Sequence, residues 1–324
     1  MARILDVQSC LFQRVRLRDD GVHDRVIAAA LRNETWRRLA RGVYVEASRF
    51  GSWTPDEQHL ARALAVNISA TSVRPVFSHM TAAILLGLPG YGMHRERVHV
   101  TLMGARHTHS SRDIVRHQAA IVPSVVVEIG GLLCTSLSRT LRDVARLASA
   151  EQSVVTLDAG VRRAVALAPR RDAAEAESQW QAVLREELAA MPGERGVAWA
   201  RRRLAFADSR SESVAESLSR LQLRRLGYEV ELQVGVPAPS GSMYRVDFAL
   251  VGKRTLGEVD GNAKYTDDRL RGRRTPEEVV LAEKRREDWI RGATGCGLVR
   301  WGFSESRSAR LLGARLRAFS VPPP

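Results

Sequence analysis

The strongest constraint on the fold is a series of period changes in the last third of the chain. Ser213-Val214-Ala215-Glu216 has capping-box spacing and predicts a helix reaching Arg225, stopped by Gly227. Residues 230–236 then alternate as a strand that ends at Pro237 and the turn Pro239-Ser240-Gly241. Residues 244–251 and 255–260 alternate again, joined by a short hairpin at Lys253. Thr275-Pro276-Glu277-Glu278 opens another helix with Pro at its first position, running to about Arg291. A fourth strand over 296–301 and a final helix over 304–319 complete the order α-β-β-β-α-β-α. The fold class this predicts is α/β, α+β over the whole chain.

Three further regions precede this one. Residues 1–50 read as helix, turn, helix and a short β element. Apolar residues recur at helical spacing from Val22 to Leu31, and alternation follows around Gly42, with Val43 and Val45 on one face. That is the layout of a winged helix-turn-helix, in which a helix enters the major groove and wing arginines (Arg37, Arg38, Arg41) meet phosphate. An arginine-rich surface turn is the plainer alternative. Residues 51–165 are mixed α/β, with helices over 55–67, 77–88, 135–148 and 151–166 and strands over 98–102 and 125–129. Residues 166–208 read as a helical connector, and 209–324 form the last domain.

The chain has 324 residues and a net charge of +14. A polyanion is the partner such a surplus suits, and double-stranded DNA is the first candidate. Of its 50 Lys and Arg residues only Lys253, Lys264 and Lys284 are lysines, so arginine bias from genome composition competes with that reading. No apolar run approaches the roughly 20 residues of a membrane helix, and Asp6 interrupts any signal sequence. Three scattered cysteines (Cys10, Cys134, Cys296) fit a reducing cytoplasm and no zinc ribbon. Seven of the eight histidines fall within residues 55–208, none at the spacing of a helical metal motif, and a solvated loop is the expectation for His107 and His109.

The acids of the last region fall in particular places. Asp247 is mid-strand, Glu258 and Asp260 lie two apart on one face of the next, and the hairpin brings Asp247 beside them. Glu216 lies on the preceding helix. Any one of these acids is most simply solvated or paired with arginine. Together, in a basic domain, they suggest a divalent cation held by Asp247, Glu258 and Asp260, with Mg²⁺ (or Mn²⁺) the hard ion that oxygen ligands prefer. Lys264 and Lys284 flank the site, and a lysine can shift its pKa where arginine cannot. Arg269, Arg271, Arg273 and Arg274 form an adjacent basic loop suited to phosphate.

Val246-Asp247-Phe248, Gly257-Glu258-Val259-Asp260-Gly261, Lys264-Tyr265 and Glu283-Lys284-Arg285-Arg286-Glu287-Asp288, together with Ser213 to Ser217, carry a resemblance. Over residues 211–303 the chain resembles the PD-(D/E)xK restriction-endonuclease-like superfamily, nearest its Vsr-like branch. The resemblance implies metal-dependent phosphodiester cleavage, with Glu216, Asp247 and Glu258 catalytic and Lys264 or Lys284 replacing the usual lysine, whose position Asp260 takes. Trp36 to Tyr44, Phe77 to Ala83 with Gly87-Leu88-Pro89, and Thr135 to Asp143 resemble AbiEi-like winged-helix antitoxins. That second resemblance implies a repressor that binds DNA without cutting it, with a cognate toxin as a candidate partner and a homodimer as a candidate assembly.

Overall fold

The computed structural model describes residues 2–71, 73–94, 96–102, 110–119, 121–166, 168–169, 172–260 and 276–324. They form two compact units: residues 1–160 with 178–206, and residues 161–177 with 207–324. The class is α/β, as the period changes predict. Among the described residues no helix is long and apolar enough to cross a membrane.

The first unit starts with α1 (Ala2–Ser9), β1 (Phe12–Gln13), α2 (Arg14–Asp19), α3 (Asp24–Arg32), β2 (Trp36–Ala40), β3 (Val43–Glu46) and α4 (Ala47–Ser52). The strands make an antiparallel sheet in the order β1-β3-β2. Gly42 turns the β2–β3 hairpin at φ 73°, a conformation that costs glycine little and other residues more. α3 buries only Ile27, which leaves its remaining faces half-buried or exposed. Asp24 at its first turn accepts from Arg14 at 2.7 Å and also pairs with Arg18, tying α2 to α3.

α5 (Pro55–Ser69) follows, opened by a Thr54/Glu57 capping box. Next come β4 (Val76–Phe77), α6 (His79–Leu85), β5 (Val98–Leu102), β6 (Ile114–Gln118), β7 (Val126–Ile129), β8 (Leu132–Thr135), α7 (Leu137–Leu147) and α8 (Ala150–Val165). The five strands form a mixed sheet in the order β6-β5-β4-β8-β7, with β5/β6 and β4/β8 parallel. Leu39, Val43, Val45 and Phe50 share one buried cluster with Leu60, Leu64, Phe77, Val100 and Leu132. The winged-helix-like stretch and the sheet therefore have a common core, with no linker at residue 50.

α9 (Ala173–Ala189) and α10 (Val197–Phe206) occupy the expected connector. The connector is packed: Leu184, Leu188, Val197, Ala200 and Leu204 are buried. Arg203 donates to the carbonyls of Ala145 (2.7 Å) and Ala148 (2.8 Å), which satisfies orphan carbonyls at the end of α7.

The second unit holds α11 (Val214–Arg225), β9 (Val230–Pro237), β10 (Met243–Leu250), β11 (Thr255–Val259), α12 (Pro276–Thr294), β12 (Gly297–Trp301), α13 (Phe303–Ser306) and α14 (Ala309–Ala318). The sheet order is β12-β11-β10-β9, antiparallel except for β11/β12, which the α12 crossover makes parallel. The one helix expected over 304–319 is two, because Ser308 caps a new start at Ala309 by accepting the Leu311 N–H on its Oγ. Both faces of the sheet are covered. Val299, Trp301 and Phe248 pack with Leu223 of α11 and Leu312 and Leu316 of α14, while Leu298 and Leu256 pack with Ile290 of α12.

Candidate functional site

The carboxylates of the second unit owe their positions to strand register. Phe248 faces Gly257 across the hairpin, and just beyond that pair the Asp247 carboxylate reaches the backbone of Val259, the residue after Glu258. Gly257 has no side chain because a Cβ there would lie 2.4 Å from the Trp301 ring. Trp301 is buried and donates Nε1–H to Ser219 Oγ at 2.8 Å, so the bulkiest core residue braces the strand that carries Glu258.

Each acid is held by a different group. Asp247 Oδ2 accepts the backbone N–H of Val259 at 2.8 Å, which fixes its carboxylate against the end of β11. Glu258, 9% exposed, receives Arg286 Nη2 on Oε1 at 2.6 Å and Arg300 Nη2 on Oε2 at 3.0 Å. Arg300 is its neighbour in register on β12, and Arg286 comes from α12. Glu283 pairs with both arginines and extends the network. Burial works against the charge on Arg286 and Arg300, but hydrogen bonding and attraction to Glu258 and Glu283 outweigh it and raise both pKa values. Glu216, at the start of α11, accepts the Glu212 N–H at 2.8 Å and the Gln233 Nε2 at 3.1 Å. Asp260 is exposed just beyond β11, with its N–H on the Trp301 carbonyl at 2.9 Å. Lys284 is exposed on α12. Lys264, Arg269, Arg271, Arg273 and Arg274 lie outside the described residues, as do His107 and His109.

The structure thus sets the Asp247 carboxylate on the backbone beside Glu258 and gives Glu258 an arginine clamp that spacing did not reveal. Glu216, Asp247, Glu258 and Asp260 do not close into a three-ligand group among the described residues. Beside Gln233 opens a cavity of about 560 Å³, lined by Arg162, Arg210, Arg245, Ser209 and Glu212. Gln233 itself adopts φ 54°, a rare conformation for a residue with a side chain. In the first unit Arg37, Arg38 and Arg41 are all exposed on the β2–β3 hairpin, as a wing requires. Arg37 also lies over the Phe50 ring at 4.9 Å.

A second constellation was not read from the sequence. His79, His99 and His117 bring one ring nitrogen each within 4.8 Å of one another. His99 and His117 come from the parallel strands β5 and β6, and His99 Nδ1 lies 2.9 Å from His117 Nε2. His79, 7% exposed, stacks on His117 with ring centroids 3.6 Å apart. Its backbone has φ 52°, a strain of about 1–3 kcal/mol that surrounding contacts must hold. They do: Ser78 N–H bonds the His99 carbonyl at 3.0 Å and Ser78 Oγ meets His79 Nδ1 at 3.0 Å. Thr81 Oγ1 takes the His99 N–H at 2.9 Å and shares a 2.9 Å hydrogen bond with buried His59. Burial, with the neighbouring histidines and arginines, pushes His79 well below its usual pKa and His99 to about 3. Burial also lowers His117, against the pull of Asp143. The missing sequence signal was β6: Ile114-Val115-Arg116-His117-Gln118 is an edge strand with charge on it, and a strand there would have set His117 beside His99.

No family model matches the chain. It is similar to "Uncharacterized protein Rv2248" and "Uncharacterized protein MT2308" from two strains of Mycobacterium tuberculosis, 31% identical to each over 172 residues. The match covers 49% of this chain and 59% of each relative, so the chain spans less than two thirds of their length.

Proposed function

We propose that this chain binds double-stranded DNA and that its second unit hydrolyses phosphodiester bonds with Mg²⁺ or Mn²⁺, in the manner of the PD-(D/E)xK proteins it resembles. The observation that carries the reading is the Asp247 carboxylate held on the Val259 N–H, next in the chain to Glu258 at the end of β11, on a sheet ordered β12-β11-β10-β9. The donor chemistry fits a hard cation: two carboxylates and the Val259 carbonyl are all oxygens. A cation there supplies Lewis acidity and an activated water. The Val259 N–H orients Asp247, Glu258 would hold the ion in place of one of its arginines, and Arg162, Arg210 and Arg245 offer their charge to phosphate. Wing arginines Arg37, Arg38 and Arg41 add a second phosphate contact. The free cysteines suit the cytoplasm.

The Arg286–Glu258–Arg300 clamp favours a second reading. A carboxylate already neutralised by two guanidiniums is poorly disposed to take an ion. The unit then grips DNA without cutting it, as an AbiEi-like repressor acting with a cognate toxin would. Plasmid nicking with and without Mg²⁺ decides between them. Cleavage that falls at least roughly 100-fold in Asp247→Ala supports the enzyme. Tight duplex binding with equal, metal-independent background in both proteins supports the repressor.

A further inference from the structure

We propose that His79, His99 and His117 form a Zn²⁺ site with one open coordination position, in the first unit and independent of the carboxylates. Three neutral imidazoles are the ligand set that zinc and its first-row neighbours prefer, and three protein ligands with a vacant fourth position is the arrangement of sites that keep a water or bind a further ligand. The geometry is nearly made. Nitrogens sharing a tetrahedral ion at about 2.0–2.1 Å stand roughly 3.3–3.4 Å apart, and His99 Nδ1 and His117 Nε2 are 2.9 Å apart. A ring rotation of about half an ångström opens the gap to that spacing. Ser78 occupies Nδ1 of His79 and so leaves Nε2 as its ligand atom, which is how outer partners fix a ligating histidine. Thr81 Oγ1, which accepts the His99 backbone N–H and bonds His59, ties β5 to α6 and so fixes the strand that carries His99.

Two observations point to an occupant beyond the rings. A cavity of about 240 Å³ opens on the cluster, walled by Met80, Met93, Val144 and Ala148. It has room for a metal-bound water and a small ligand. Thr101 Oγ1 is buried and has no hydrogen-bond partner among the described residues. It lies on the same strand as His99, two residues on, and directly in register with His117. A metal-bound water would give that hydroxyl a partner. The nearby charges are balanced: Arg139 and Arg142 pair with buried Asp143, and Arg146 pairs with Glu194.

The test uses the full chain without a histidine tag, stripped by chelator and then titrated with Zn²⁺ by calorimetry and with Co²⁺ by visible absorption. The expected result is one ion per chain, with the intense d–d bands of four-coordinate cobalt and no thiolate charge-transfer band. His117→Gln, at a half-buried position, should weaken binding at least tenfold while circular dichroism stays unchanged, and His99→Gln should do the same. Three outcomes overturn the proposal: no binding by wild type, binding unchanged in both variants, or a thiolate band that assigns the ion to cysteine. Unchanged nicking in His117→Gln keeps this result distinct from the fate of the carboxylate site.

Discussion

The two constellations are built in opposite ways. Asp247 and Glu258 sit 11 residues apart on one hairpin, the first held by a backbone N–H and the second by arginines from α12 and β12. His79, His99 and His117 come from three separate elements and are held by hydroxyls and backbone. The difference teaches that a local motif advertises itself in sequence but does not reveal its counter-charges. A cluster assembled by topology has ready chemistry and no sequence motif at all.

The largest expected effect on this contrast comes from Trp301→Ala. It removes a ring that is 2% exposed, together with its bond to Ser219. The second unit should lose about 3–5 kcal/mol in urea denaturation, and Zn²⁺ binding at the histidines should survive. Loss of both sites together would break the comparison. Arg286→Met should come next. It strips Glu258 Oε1 of its 2.6 Å partner and should cost about 2 kcal/mol, at the lower end for a buried pair because Arg286 is partly exposed. If Glu258 is a cation ligand, the same variant should bind Mg²⁺ more tightly, read by calorimetry; unchanged Mg²⁺ affinity would point to the repressor. Arg38→Ala, an exposed wing change, should leave stability within about 0.5 kcal/mol. The slope of log affinity for duplex DNA against log salt should become shallower by about 0.9. The smallest effect is chemical. Cys134 is buried, and burial raises its thiol to about 12. Thiol reagents at pH 8 should therefore label Cys10 and Cys296 in the native chain and reach Cys134 only after denaturation, counted by mass spectrometry.

Much of the second unit was legible because its period changes are sharp. The β10–β11 hairpin, the N-cap at Ser213 and the chain order of the strands follow from alternation and capping alone, though Glu216 turns its carboxylate to the Glu212 N–H and does not close the capping box. The arginine clamp was not legible, since Arg286 and Arg300 are two among many arginines and only the parallel β11/β12 register sets Arg300 beside Glu258. In the first unit the long helices were readable, but β4, β6 and β8 are two to five residues long and fall below any periodic signal. The expected helix over 77–88 concealed a strand residue, Phe77, and the strained turn at His79. Helical propensity cannot report a positive φ, which is set by the packing around Ser78. The helices of 166–208 carry charge on one face, and spacing alone did not show that Leu184, Leu188, Val197, Ala200 and Leu204 are buried.

That stretch has a consequence for synthesis. The chain enters the second unit at residue 161, returns to the first at 178 and leaves it again at 207. Arg162 bonds the Ser211 carbonyl, and Glu177 receives both the N–H of Ser209, at 3.1 Å, and its hydroxyl, at 2.5 Å. On the ribosome, residues 161–177 emerge before any strand of their own sheet exists, and about 120 residues must follow before β12 can close it. A cut at residue 208 would separate Ser209 and Ser211 from those partners. Neither half of such a cut corresponds to a unit that folds, so fragments should be joined by permutation rather than made by truncation.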